Sequence, residues 1–122
     1  MLKITKIIFD ENSLEADVEL MSGNIKLLCY CHPVECKEDV VKASTKELVA
    51  FDVRNIMIDE GDPTAIKTND GYYSHFLRGI VASKTQIKVN DFMIDIGYMP
   101  GDIGTGDTIC CECMRIDMRL GR

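Results

Sequence analysis

Hydrophobic side chains alternate with charged ones along much of this chain, and that period of two constrains the fold more than any other feature. Leu14, Ala16, Val18 and Leu20 alternate with Glu15, Asp17 and Glu19. Successive side chains of a strand point to opposite faces, so this segment predicts a strand with one dry and one wet face. Ser22-Gly23-Asn24 supplies a turn, and Ile25 to Cys31 reads as the return strand. Leu2 to Phe9 is rich in β-branched residues and reads as the strand before them. The N-terminal third is thus expected to be a meander.

His32-Pro33 ends the third strand, because proline cannot donate to a ladder. Val34 to Lys46 suits either a helical turn or two, or a long loop. Glu47 to Ile58 resumes strand character, and its alternation slips near Arg54-Asn55, which predicts a bulge. Turn chemistry at Asp59-Glu60-Gly61-Asp62-Pro63 and at Thr68-Asn69-Asp70-Gly71 brackets a polar loop. Tyr72–Ala82, Gln86–Val89, Phe92–Ile96 and Thr108–Leu120 are the remaining strands, with a glycine-rich loop at Gly97–Asp107. Six or seven strands at this spacing predict an all-β domain, with room for one short helix, folded as an antiparallel six- to seven-stranded small barrel. The resemblance to an OB-like barrel is one of fold only and carries no function.

The chain has 122 residues, the size of one domain, and residues 1–122 are read as a single β-barrel-like unit. Hydrophobic residues make up 46%, enough for a core, which rests on aliphatic side chains because tryptophan is absent. The net charge of −6 repels phosphate backbones, and no window reads as a basic arm. Nucleic acid is therefore not an expected partner. The N-terminal segment carries charges every few residues, so neither a signal peptide nor a membrane span is expected there. A cytoplasmic protein follows, with its six cysteines as thiols.

Those cysteines suggest one kind of chemistry. Cys29 and Cys31 form one Cys-x-Cys pair, and Cys111 and Cys113 form another. Residues two apart in a strand share a face, so two such pairs on neighbouring strands can offer four thiolates to a zinc ion. The expected faces conflict, however. Cys29 and Cys31 follow the core parity of Ile25 and Leu27, whereas Cys111 and Cys113 continue the wet parity of Arg115, Asp117 and Arg119 unless a bulge intervenes. Buried thiols without a cofactor are the simpler expectation.

Tyr72, Tyr73 and Phe76 form an aromatic cluster beside His75 and Arg78. Barrels that bind oligonucleotides or sugars stack ligands on such rings, so Tyr73, His75 and Arg78 are candidate ligand-binding residues. The glycine-rich loop lacks the lysine and following helix of a phosphate cradle and contains aspartates, so it reads as a turn. Asp59, Glu60 and Asp62 lack the EF-hand pattern and read as a solvated loop. No catalytic residue is identified.

The expected function is a non-enzymatic binding or protein-interaction module, engaging an unknown protein partner or a second copy of itself. The alternatives are a zinc-stabilised domain built on the two cysteine pairs, and an enzyme whose site is assembled from distant strands.

Overall fold

The computed structural model describes residues 2–121. In chain order its elements are β1 (Leu2–Asp10), β2 (Glu15–Ser22), β3 (Ile25–Cys31), α1 (Lys37–Lys42), β4 (Thr45–Phe51), β5 (Arg54–Ile58), β6 (Thr64–Lys67), β7 (His75–Val81), β8 (Gln86–Val89), β9 (Phe92–Asp95), β10 (Thr108–Cys113) and β11 (Arg115–Gly121). The all-β expectation holds, with one short helix inside the ambiguous stretch. The small antiparallel barrel does not. Among the described residues, eleven strands form one sheet in the order β1-β2-β3-β11-β4-β9-β8-β7-β10-β5, with β6 on β7, and no ladder closes it. The pairs β3–β11 and β4–β9 are parallel, so the sheet is mixed.

The sheet has more strands than the alternation predicts because expected strands are broken by one or two residues. Asp52, at φ 52°, and Val53 separate β4 from β5, and Asn55, at φ 57°, lies where the β5–β10 register shifts. That is the bulge expected near Arg54-Asn55. Met114 separates β10 from β11. β10 then lies between β7 and β5, while β11 lies between β4 and β3. β6 occupies the middle of the loop read as wholly polar and pairs Ile66 with Phe76.

The core follows the predicted parity. Ala16, Val18 and Leu20 of β2 face Leu27 and Cys29 of β3, Leu77 and Val81 of β7, and Ile116 and Met118 of β11. Phe92, Ile87, Ile94 and Ile109 complete its centre and are fully buried. Burying aliphatic side chains of this size contributes roughly 1.5–3 kcal/mol each, which makes this layer the main source of stability. A buried Ser22 ties two turns together. Its hydroxyl donates to Asp91 Oδ2 at 2.9 Å and receives the Asn90 side-chain amide at 2.8 Å.

β3 and β6 approach each other without ladder pairing. His75, the first residue of β7, spans this seam. Its Nε2 accepts the Leu28 backbone N–H at 3.2 Å, and its Nδ1 lies 2.9 Å from the Tyr73 carbonyl oxygen. One imidazole thus replaces a ladder bond. No helix among the described residues is long and apolar enough to cross a membrane.

Candidate binding face

The outer face of β2, β3, β11 and β4 is built from the wet parity of each strand. Register places Asp17 beside Tyr30, Tyr30 beside Asp117, and Asp117 beside Val49. Two pairs along, and so on the same face, Arg115 stands opposite Phe51. The Arg115 guanidinium therefore lies over two rings, 4.9 Å from the Tyr30 centroid and 5.1 Å from that of Phe51. Asp117 holds it there through two hydrogen bonds, of 2.5 and 3.1 Å. A partly exposed ion pair adds at most about 1 kcal/mol to stability, but a two-pronged carboxylate fixes where the guanidinium sits.

The turn before β7 extends this row. Tyr73 meets Tyr30 edge-on at 5.5 Å, and Tyr72 meets Tyr73 edge-on at 4.8 Å. Lys67 lies 5.7 Å from the Tyr72 centroid at one end, and Arg119 lies 5.8 Å from that of Phe51 at the other. The result is a continuous stripe of rings and cations across several strands. Its ends are open: Tyr72 is 62% exposed and Phe51 36%.

Carboxylates hold the tyrosines. Tyr30 donates its hydroxyl to Glu15 at 2.8 Å, and Tyr73 donates to Asp17 at 2.5 Å. The hydrogen bond to Glu15 raises the Tyr30 phenol above its usual range, and burial followed by the Asp17 bond does the same for Tyr73. Both phenols stay protonated at neutral pH and act as fixed donors. Next to Tyr72, the side chains of Lys6, Ile8, Asp17, Glu19, Leu28 and Lys67 line a groove of about 230 Å³.

Tyr73, His75 and Arg78 are not brought together. Tyr73 belongs to the stripe. His75 is buried in the seam, and burial lowers its pKa to about 4, so it is neutral with both ring nitrogens engaged. Arg78 lies on the opposite parity of β7, where its Nε donates to Asp59 at 2.8 Å and its guanidinium covers Phe76. The parity of β7 separates them: residues 75, 77, 79 and 81 point inward, and 76, 78 and 80 outward.

The cysteine pairs are buried, but one of them faces otherwise than simple alternation predicts. Cys111 and Cys113 face the interior rather than the Arg/Asp face, because the break at Met114 resets the parity between Cys113 and Ile116. Cys29 comes within electrostatic range of Cys113. Even so, no group of three or more His, Cys, Asp or Glu side chains among the described residues could hold a metal ion. Burial raises the thiol of Cys111 to about 12 and that of Cys113 to about 11. All six cysteines are thiols rather than disulfides.

Tyr30, Phe51, Arg115 and Arg119 were not singled out by sequence. Their wet-face parity was the available signal, but their convergence depends on non-local pairing of β11 with β3 and β4. Comparison with family models, curated proteins and solved structures finds no match to this chain.

Proposed function

We propose that this chain is a binding module whose contact face is the Tyr72–Tyr73–Tyr30–Arg115–Phe51 stripe, and that its partner is a protein segment. The observation that carries this reading is the stripe itself: rings and guanidinium touch one another in a fixed order and remain open at both ends. Tyr, Phe and Arg are the side chains that dominate binding energy at protein interfaces. Rings already held by hydrogen bonds lose little freedom on binding, which favours affinity. The open rings suit apolar or aromatic side chains, and the exposed Arg119 over Phe51 suits a carboxylate beside them.

The test is selection of binders from a random peptide display library, followed by affinity measurement on variants. Phe51→Ser and Tyr72→Ser should each weaken the selected peptide about tenfold or more, as expected for loss of one anchor ring. Met93→Ser, an exposed control outside the stripe, should leave affinity unchanged. Equal losses at all three positions, or none, would count against this face.

A further inference from the structure

β5 ends the sheet, with β10 on one side and no strand on the other among the described residues. The other terminal strand, β1, is guarded: it carries Lys3 and Lys6 and a register shift between Ile4 and Lys6, devices that discourage pairing with another chain. β5, from Arg54 to Ile58, contains neither lysine nor proline. Its apolar side chains are open on both faces, with Met57 52% and Ile58 54% exposed. Met57 stands opposite Cys110 on the outer side, and Ile58 stands opposite the buried Ile109 on the inner side. The strand therefore overhangs the core edge and leaves apolar surface uncovered.

Its charges are arranged head to tail. Arg54 opens the strand and is exposed, and Glu60 lies just beyond its end and is exposed too. Asp59, between strand and Glu60, is already engaged by Arg78 at 2.8 Å. A parallel partner of the same sequence would set Arg54 beside Arg54. An antiparallel partner related by a two-fold axis through Met57 sets Arg54 of each copy against Glu60 of the other, and Ile56 against Ile58. That pairing satisfies both charges and covers the apolar centre.

We propose that β5 is a homodimerisation edge, pairing antiparallel with β5 of a second copy about Met57 and with Arg54–Glu60 contacts at both ends. This contact is independent of the aromatic stripe. The αL residue Asn55 limits the regular edge to a short run, so a weak, concentration-dependent dimer is expected, with Kd on the order of 10–100 μM.

Sedimentation equilibrium of the full chain over roughly 5 μM to 1 mM tests it. The wild type should show a monomer–dimer equilibrium. Arg54→Glu and Glu60→Arg should each weaken the dimer about tenfold, and the double variant should recover to within about threefold of wild type. Met57→Asp should abolish it, and this exposed position tolerates the change without unfolding. A monomer at every concentration, a dimer that survives Met57→Asp, or a double swap with no recovery would each overturn the proposal.

Discussion

His75 Nε2 accepts the backbone N–H of Leu28 at 3.2 Å, so a side chain completes the hydrogen bonding of β3 where no strand reaches it. The bond requires a neutral ring with its proton on Nδ1, facing the Tyr73 carbonyl oxygen. Protonating Nε2 would abolish the acceptor and place a charge in the buried seam, with the Lys67 ammonium also opposing it.

A pH dependence follows from this. The folded pKa of about 4 lies below the ordinary histidine value of 6.5, so the unfolded chain binds more protons between the two. The stabilisation is complete above pH 6.5 and is lost as pH falls toward 4. Between pH 7 and pH 4.5 the wild type should lose on the order of 2 kcal/mol more than His75→Gln, whose amide oxygen can accept the same N–H. Urea titrations at both pH values measure the difference. Equal losses in the two proteins would remove the seam from the account.

Within the contact stripe Tyr73 also serves as a strut, since its hydroxyl is tied to Asp17 and its ring lies between Tyr30 and Tyr72. Tyr73→Phe should cost roughly 1.5 kcal/mol of stability, the low end for a hydrogen bond to a charged group, because the site is only half-buried. Peptide affinity should change by less than about threefold, because the ring remains. Chemical denaturation and a binding titration on the same sample separate the two.

At Gly79 the chain of β8 leaves no room for a side chain. A Cβ there would lie 2.5 Å from the Lys88 carbonyl oxygen and 2.9 Å from Val89 Cγ2. The first is backbone and cannot step aside. Gly79→Ala should destabilise by about 2–4 kcal/mol, read as a lowered melting temperature, whereas a neutral variant would show the two strands farther apart.

Thiol reactivity should follow burial. Cys36 is partly exposed, while Cys29, Cys31, Cys110, Cys111 and Cys113 are buried. In native protein a thiol-specific reagent should label Cys36 promptly and the others only on unfolding. Chelator should leave the melting temperature unchanged. Its fall would restore the zinc-stabilised alternative.

How much of this was legible in the sequence depended on range. The dry parity of Ala16, Val18 and Leu20 announced β2 and its core face, because it is a local property. The breaks at Asp52 and Met114 were not legible, since one αL residue or bend leaves the flanking composition strand-like. They changed both the strand count and the facing of Cys111 and Cys113. The stripe was half visible. Tyr72 and Tyr73 stood out as neighbours, but Tyr30, Phe51 and Arg115 meet them only through pairings between distant segments. His75 was noticed as a polar ring in an aromatic cluster, and nothing local showed that a distant N–H would claim it.

The outer-face stripe is tested most directly by backbone amide chemical-shift mapping while a display-selected peptide is titrated into labelled protein. Perturbations should concentrate at Tyr30, Phe51, Tyr72, Tyr73 and Arg115, with β5 and the Gly97–Asp107 loop unmoved. Perturbations centred on that loop or on β5, with the stripe silent, would contradict it.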